Sequence, residues 1–314
     1  IMNALLFPGQ GSQIVGMGSE FYKEFDVVKK IFKEADEKLN YSISKIILEG
    51  PETDLQLTRN TQPAILTVSF SIFKVLKDEF GFDLNSCKYF AGHSLGEYSA
   101  LVSSNSLSFG DALYLLHERG KAMQDAVSVG AGSMIAVLGM KINDISELIK
   151  SQDNKEGVCE IANDNAEGQV ILSGNKESVE SLQIVLKEKK VKSIPLKVSA
   201  PFHCSLMKPA AAAMEEKIKN IMFNQPLIEI ISNVTAKPET NANNIKKLLI
   251  EQIFSTVKWR ESLINMSKTG VKNYIEIGPG KVLTGMVKRT LKDANCFSIN
   301  TITDIKNLIN EFKK

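Results

Sequence analysis

The chain has 314 residues, of which 43% are hydrophobic and 24% are charged, and its formal net charge is +2. These values are typical of a globular protein with a substantial core, and they exclude a disordered chain, a coiled coil and a collagen-type fibre. The near-neutral charge gives no reason to expect nucleic acid as a partner.

Strands that alternate with helices are predicted along the first part of the chain. Asn3 to Phe7 is predicted as a short buried strand that ends in the glycine-rich turn PGQGSQ. A second strand, CKYFAG, leads into the tight turn and apolar helix GHSLGEYSALVSS. The predicted amphipathic helices cover residues 21–39, 63–80 and 109–127. The second of these has Pro63 near its first turn, where proline is tolerated.

The pattern changes at about residue 130. Between 130 and 198 the predicted order is strand, helix, strand, strand, helix, strand, which is the ferredoxin-like order. We therefore expect an inserted ferredoxin-like subdomain at 130–198. Strands and helices alternate again from 205 to 291, which indicates an α/β protein with a mostly parallel sheet covered on both faces. Residues 1–129 and 199–314 are expected to form this main domain.

The four cysteines, Cys87, Cys159, Cys204 and Cys296, form no CxxC pair, so we expect no metal site and a reducing compartment. The first residues lack the apolar run of a secretory leader. No stretch approaches the roughly 18 apolar residues that a membrane span needs. We therefore expect a cytoplasmic protein that does not contact a membrane and carries no cofactor.

Residues 92–96, Gly-His-Ser-Leu-Gly, match the GxSxG pattern of a nucleophile elbow. In that turn glycines avoid collisions with the neighbouring backbone, and the hydroxyl of Ser94 is presented at the end of the sheet. The following helix offers backbone N–H groups to a developing oxyanion, with the Leu95 N–H as the first donor. The alternative is an ordinary tight turn in which Ser94 is only a helix N-cap.

A serine nucleophile needs a base, and the chain has three histidines, His93, His117 and His203. His93 lies inside the elbow, where we expect a packing or hydrogen-bonding role, and His117 lies in the middle of a helix. His203 lies on a proline-marked loop after a predicted strand and is the candidate base. No acidic residue between Ser94 and His203 lies at an obvious strand end of the main sheet, so a backbone carbonyl is a candidate to orient the histidine.

Two further features have a chemical interpretation and an ordinary one. Arg119, in HERGKAM, could hold a carboxylate with two parallel hydrogen bonds, or it could be a solvated helix arginine. The loop PGQGSQ follows the first strand, where a loop can supply a backbone N–H to an oxyanion hole. It is not a GxGxxG loop, so we predict no nucleotide site.

Six motifs occur in a fixed order from residue 3 to about residue 290: FPGQGSQ, GHSLGEYSALV, RGKAMQ, SAPFHCSLMKPA, EQIFSTVKW and IEIGPGKVLTGMVKR. Together they resemble the malonyl-CoA:acyl carrier protein transacylases, the stand-alone malonyltransferases of bacterial-type fatty acid synthesis. The resemblance implies an α/β-hydrolase-like main domain with a ferredoxin-like small one. It also implies a ping-pong transfer of malonyl, through a malonyl-serine ester, from malonyl-CoA to the phosphopantetheine thiol of acyl carrier protein.

The resemblance assigns catalytic roles by motif. Ser94 would be the nucleophile, and His203 would be the general base and then the general acid. Gln252 matches the position whose backbone carbonyl orients the histidine, which would account for the missing carboxylate. Phe202 is compatible with malonyl, because a bulky ring there would crowd an α-methyl branch.

Roles in substrate binding follow in the same way. Arg119 would pair with the free carboxylate of malonyl. Gln10 and Leu95 would form the oxyanion hole through their backbone N–H groups. Asn163 and Asn165 match polar positions that line the cleft from the small subdomain.

The acceptor implied by the resemblance, acyl carrier protein, is small and acidic, so a basic rim is expected. The candidate residues are all cationic, although each is equally explained as part of a solvated face: Lys187, Lys189, Lys190, Lys192, Lys288 and Arg289. We expect a monomer.

Three other functions stay open. A serine esterase or thioesterase would use the same elbow with an acidic orienting residue and would not need Arg119. An acyltransferase of a polyketide pathway would use malonyl or a branched extender. A non-enzymatic module that binds a carrier protein would need neither Ser94 nor His203.

Overall fold

The computed structural model of the protein describes residues 2–152, 157–198 and 200–314. The strands found in these ranges belong to two sheets and are β1 (Asn3–Phe7), β2 (Cys87–Gly92), β3 (Gly132–Leu138), β4 (Cys159–Ala166), β5 (Gln169–Asn175), β6 (Lys192–Pro195), β7 (Glu229–Ile231), β8 (Pro238–Glu239), β9 (Val257–Lys258), β10 (Asn273–Ile277) and β11 (Asn295–Ile299). Ile1 and the predicted boundary at residue 199 lie outside the described residues.

The larger sheet has six strands in the order β11-β10-β1-β2-β7-β8. Its first five strands are parallel to their neighbours, and β8 is antiparallel to β7. The smaller sheet has five strands in the order β6-β3-β5-β4-β9. Its pairs are antiparallel except that β9 runs parallel to β4. The predicted α/β class is therefore confirmed, with two mixed sheets.

The α-helices of the described residues connect and cover these strands, and they are α1 (Ser19–Glu24), α2 (Asp26–Leu39), α3 (Ile43–Glu49), α4 (Glu52–Leu55), α5 (Thr58–Lys74), α6 (Gly96–Ser103), α7 (Phe109–Asp125), α8 (Ile142–Ser151), α9 (Lys176–Glu188), α10 (Lys208–Lys219), α11 (Ala242–Gln252), α12 (Trp259–Lys268), α13 (Val282–Thr290) and α14 (Ile302–Phe312). Across this described set, none has the length and apolar character needed to cross a membrane.

Strand β1 is buried on both faces and shows how the core is divided. Successive side chains of a strand point to opposite faces, so Leu5 and Phe7 join one apolar cluster and Ala4 and Leu6 join another. The Phe7 ring packs against Phe90 of β2 at a centroid distance of 5.7 Å. Helices thus cover both faces, as expected for a parallel sheet. The smaller sheet has its own apolar cluster with α8 and α9.

Some predicted elements differ from those in the structure. The helix predicted at 21–39 is two helices, because Phe25 has extended backbone angles between α1 and α2. The helix predicted from Pro63 begins at Thr58, so the proline lies inside α5. Helix α12, strand β11 and helix α14 were not predicted. The bounds predicted for β2 agree with the structure.

Candidate active site

Ser94 lies in a tight turn between β2 and α6, and its backbone φ is 55°. A residue with a side chain rarely adopts that left-handed conformation, so the surrounding packing must hold it. A Cβ atom on Gly92 would lie 1.9 Å from the Gly96 carbonyl carbon, and one on Gly96 would lie 2.2 Å from the Phe7 carbonyl oxygen. Only glycine fits at both positions, and Ser94 is left facing a cleft.

His203, on the loop before α10, faces the Ser94 hydroxyl. The distance from His203 Nε2 to Ser94 Oγ is 2.7 Å, and the distance from His203 Nδ1 to the Gln252 carbonyl oxygen is 2.8 Å. Because a carbonyl oxygen only accepts, Nδ1 carries the proton and Nε2 accepts from the hydroxyl. Burial, reinforced by the nearby Arg119 charge, lowers the pKa of His203 to about 3. The imidazole is therefore neutral and able to accept a proton at any physiological pH.

Arg119 extends from α7 to the same hydroxyl, and only 1% of the residue is exposed. Its Nη1 donates to Gln62 Oε1 at 2.7 Å, and its Nη2 donates to Gln252 Oε1 at 2.7 Å and to Ser94 Oγ at 3.2 Å. Its Nε has no partner among the described residues. Burial lowers the pKa of the guanidinium, and no carboxylate in the described ranges is hydrogen-bonded to it. A buried arginine held by neutral amides is poised to receive an anion.

Two buried amide side chains join these groups. Gln252 Nε2 donates to the Ser94 carbonyl oxygen and to Asn233 Oδ1, both at 3.1 Å. Asn233 Oδ1 also accepts from the Ser94 N–H at 2.8 Å, and Asn233 Nδ2 donates to the Gly92 carbonyl oxygen at 2.8 Å. The backbone of the elbow and the arginine are therefore part of one hydrogen-bonded network.

His93 has the hydrogen-bonding and packing contacts predicted for it. Its Nε2 lies 2.7 Å from Asn165 Oδ1 on β4, and its ring packs against Trp259 at a centroid distance of 5.4 Å. Asn163 and Asn165 both line the cleft. His93 therefore links the elbow to the smaller sheet.

The cleft that contains these residues has a volume of about 760 Å³ and lies at the carboxyl ends of β1 and β2, where parallel sheets usually bind ligands. Gln10, Leu95 and Phe202 line it, and no Asp or Glu from the described part of the chain does. The backbone N–H groups of Gln10 and Leu95 have no protein acceptor in the ranges described. The cleft thus combines a serine, a neutral histidine, a buried cation and two free N–H donors.

The family profile described as "Acyl transferase domain" matches residues 4–311. The malonyl CoA-acyl carrier protein transacylase of Bacillus subtilis (strain 168) is 41% identical over 312 residues, which are 99% of this chain and 97% of that protein. The transacylase of the same name from Escherichia coli (strain K12) is 40% identical over 299 residues, or 95% of each chain. The chain belongs to the malonyl CoA-acyl carrier protein transacylase family.

Solved structures of this transacylase family are equally similar to the protein. The crystal structure of the acyl-carrier-protein-S-malonyltransferase from Bartonella henselae has a TM-score of 0.96 and 40% identity over 100% of both chains. A malonyl-transacylase in complex with its type II PKS acyl-carrier protein has a TM-score of 0.95 and 36% identity, covering 99% of this chain and 100% of that one. The transacylase fold therefore extends over the whole chain.

Two residues of the transacylase site, Gln62 and Asn233, were not predicted. Gln62 lies in the polar start, TRNTQ, of a helix whose remaining residues are mostly apolar, and that contrast was a signal of a buried polar role. Asn233 follows the short strand β7, at the same carboxyl edge of the sheet as Ser94. In parallel sheets, ligands usually bind at that edge, so a polar residue there is a candidate for the site. Five of the six residues predicted for the site line the cleft: Gln10, Ser94, Leu95, Arg119 and His203. The sixth, Gln252, accepts a hydrogen bond from His203 through its backbone carbonyl.

Proposed function

We propose that the protein transfers the malonyl group of malonyl-CoA to the phosphopantetheine thiol of acyl carrier protein, and so supplies fatty acid synthesis. The observation that carries the proposal is Arg119, a buried cation to which no carboxylate of the described residues is hydrogen-bonded, 3.2 Å from the Ser94 hydroxyl. An acyl group with its own carboxylate would satisfy this arginine, whereas a neutral acyl group would leave it unpaired. The names of the relatives support the same donor and acceptor.

In the first half-reaction, His203 Nε2 takes the proton of Ser94 as its Oγ attacks the thioester carbonyl of malonyl-CoA. The oxyanion would be stabilised by the free N–H groups of Gln10 and Leu95. As the tetrahedral intermediate collapses, the carbon–sulfur bond breaks and His203 returns the proton to the departing coenzyme A thiolate. Malonyl then remains as an ester of Ser94, with its carboxylate on Arg119.

The second half-reaction reverses these roles. The phosphopantetheine thiol of the carrier protein gives its proton to His203 and attacks the ester carbonyl. Collapse of the intermediate breaks the bond to Ser94 Oγ, and His203 protonates the released serine. The Gln252 carbonyl would hold His203 in the required tautomer throughout, in place of the acid of a hydrolase triad.

The partner of His203 Nδ1, a backbone carbonyl and not a carboxylate, supports transfer over hydrolysis. A hydrolase would gain from an acidic residue that strengthens the histidine, and a backbone carbonyl supplies no charge. The site therefore favours the transferase over the esterase or thioesterase.

An acyltransferase of a polyketide pathway is the second candidate, because one similar structure is a malonyl-transacylase bound to a type II PKS acyl-carrier protein. Both pathways use the same chemistry at the serine. Phe202 in the cleft lining supports malonyl over a branched extender, since its ring would crowd an α-methyl group. Competition between malonyl-CoA and methylmalonyl-CoA tests this, and a preference for methylmalonyl-CoA would contradict the malonyl proposal.

We also propose that the fold divides into a ferredoxin-like subdomain at 130–198 and an α/β-hydrolase-like catalytic domain formed by the rest. The strand order β6-β3-β5-β4, with α8 and α9 packed in a cluster of their own, supports the subdomain. A serine elbow at the carboxyl edge of a parallel sheet supports the hydrolase-like domain. Strand β9 adds to the small sheet from outside this range.

For the carrier protein, we propose docking on a basic rim whose exposed residues are Lys187, Lys189, Lys190, Lys192, Lys288 and Arg289. Their charge complements that of an acidic partner. The monomeric state and the cytoplasmic location stay predictions from the sequence.

Mass spectrometry of the intact protein after mixing with malonyl-CoA tests the central proposal. We expect an adduct of malonyl mass that maps to Ser94, is absent from Ser94→Ala and is lost on addition of holo acyl carrier protein. The variant Ser128→Ala, at an exposed serine, should keep the adduct. Absence of the adduct from the wild-type protein would remove the proposal.

A further inference from the structure

Asn233 is fully buried and takes part in five hydrogen bonds at the centre of the site, although its side chain touches no reacting atom. We propose that Asn233 is a positioning residue that holds the elbow of Ser94 and the carbonyl that orients His203 in one fixed arrangement. This inference rests on the proposed function, because it concerns the rate at which Ser94 becomes acylated.

The contacts of Asn233 join three separate segments. Its Oδ1 accepts from the Ser94 N–H and from Gln252 Nε2, and its Nδ2 donates to the Gly92 carbonyl oxygen. Its own N–H donates to Oε1 of Glu97 on α6. The end of β7, the elbow and the end of α11 are therefore connected through one side chain. Every polar atom of that side chain is used, which is the condition for a buried amide to rigidify its surroundings.

At the elbow, Asn233 stabilises an unfavourable backbone conformation. Ser94 has a φ of 55°, and the Asn233 side chain is bonded to the Ser94 N–H and, two residues earlier, to the Gly92 carbonyl oxygen. The bond to Asn233 Oδ1 also occupies the Ser94 N–H, so this group does not compete for the oxyanion. The backbone N–H groups of Leu95 and Gln10, which have no acceptor in the described residues, are then the donors left for the oxyanion.

At the histidine, Asn233 acts through Gln252. The side chain of Gln252 is fixed at Nε2 by Asn233 Oδ1 and at Oε1 by Arg119. Its backbone carbonyl accepts from His203 Nδ1. Loss of the Asn233 bond would leave Gln252 Nε2 held by the Ser94 carbonyl oxygen alone, and the looser Gln252 would allow the imidazole to move relative to Ser94 Oγ. A displacement of about 1 Å at reacting groups can cost about 100-fold in rate.

The test compares Asn233→Ala with Asn265→Ala. Asn265 is a matched control, because its Nδ2 donates to the Ala236 carbonyl of the same loop and makes no contact with the elbow. We expect Asn233→Ala to lower the rate of Ser94 acylation about 100-fold with the KM for malonyl-CoA changed less than about threefold. Asn265→Ala should keep the acylation rate within about threefold at a comparable loss of thermal stability. Equal losses of rate in the two variants would overturn the proposal.

A second variant, Asn233→Asp, separates positioning from folding by its pH profile. Protonated, the introduced carboxyl can still donate to the Gly92 carbonyl. Ionised, it can only accept, and it repels that oxygen. We expect its acylation rate to fall as pH rises through the pKa of the introduced group. The titratable groups of the same network, Glu97, Arg119 and His203, are common to the wild type, whose profile is the control.

A profile of Asn233→Asp parallel to that of the wild type would contradict the positioning role. This outcome differs from failure of the proposed function, in which the wild-type protein itself would form no malonyl-serine.

Discussion

At the scale of single residues, we propose that Arg119 decides which acyl group the site prefers. Its guanidinium is buried and bonded only to neutral oxygens in the described residues. We expect Arg119→Ala to lower kcat/KM for malonyl-CoA about 100-fold, because a charge-assisted pair with the substrate carboxylate is lost. Transfer from acetyl-CoA, which has no carboxylate, should fall less than transfer from malonyl-CoA, because it loses only the contacts of Arg119 with Ser94 Oγ and Gln252 Oε1.

Parallel assays with malonyl-CoA and acetyl-CoA measure this shift in preference. Arg59→Ala is the matched control, since Arg59 is an exposed arginine outside the cleft lining. Undiminished malonyl transfer by a folded Arg119→Ala protein would disprove the role of the arginine.

As the proposed base, His203 is expected to govern the pH dependence of the chemical step. Because burial lowers its pKa to about 3 from an ordinary 6.5, the neutral base form persists well below neutrality. We expect the single-turnover rate of Ser94 acylation to be flat from pH 5 to pH 7.5, checked by rapid-quench mass spectrometry. An acid limb with a midpoint between pH 6 and pH 7 that persists in Glu97→Gln, a variant without the other titrating group of the network, would contradict the neutral buried imidazole.

The same shift affects stability. The unfolded chain binds the His203 proton near the ordinary value of 6.5, and the folded chain binds it only near 3. His203 therefore lowers the free energy of unfolding as pH falls from about 6.5 to about 3, since the unfolded state then binds more protons. Circular dichroism at each pH separates this effect from the kinetics.

At the scale of secondary-structure elements, the elbow depends on close packing of β1, β2 and α6. A Cβ on Gly96 would lie 2.2 Å from the Phe7 carbonyl oxygen, which is backbone and has no room to move. We expect Gly96→Ala to lower the free energy of unfolding by more than about 3 kcal/mol, measured by urea denaturation.

Gly285 is the matched control on α13, because an added Cβ there would meet no atom within 4 Å. Gly285→Ala should raise the free energy of unfolding by about 0.5–1 kcal/mol, since alanine favours the helical state over glycine. Similar effects of the two substitutions would mean that the elbow is not tightly packed.

Elements with strong local signals were predicted well, and those without them were not. Strand β2 is a short apolar run followed by a glycine-rich turn, and its bounds agree with the structure. The break between α1 and α2 has no Gly or Pro to announce it, because Phe25 is held extended by its contacts with other rings. Helix α14 was missed although Thr301 and Asp304 form a capping box there, a signal that was readable in the sequence.

At the scale of the whole molecule, an ion pair ties the smaller sheet to the larger body. Arg260 of α12 donates two hydrogen bonds to the carboxylate of Asp164 on β4. The distance from Nε to Oδ1 is 3.0 Å, and the distance from Nη2 to Oδ2 is also 3.0 Å. Burial raises the pKa of the Asp164 carboxyl in spite of this partner. We expect Arg260→Ala to lower the free energy of unfolding by about 2 kcal/mol, because Asp164 would be left buried without its donors.

Urea denaturation checks this value, with Lys74→Ala as the control. The Lys74–Asp78 pair has a contact of 2.8 Å but lies at the surface within one helical segment, and its loss should change stability by less than about 0.5 kcal/mol. Equal changes in the free energy of unfolding for the two variants would show that the Asp164–Arg260 pair does not stabilise the contact between β4 and α12.

The sequence by itself determined the turn at Ser94, because the glycines that permit it lie within two residues on either side. It also limited the base to three histidines and, through six ordered motifs, indicated the family. It did not distinguish a buried, anion-binding Arg119 from a solvated one, and it did not predict that Gln62 and Asn233 belong to the site. Those were decided only by the tertiary structure, because the partners of Arg119 are 57 and 133 positions away along the chain. Local patterns specify backbone shape, whereas the pairing of buried polar groups depends on which distant segments the fold brings together.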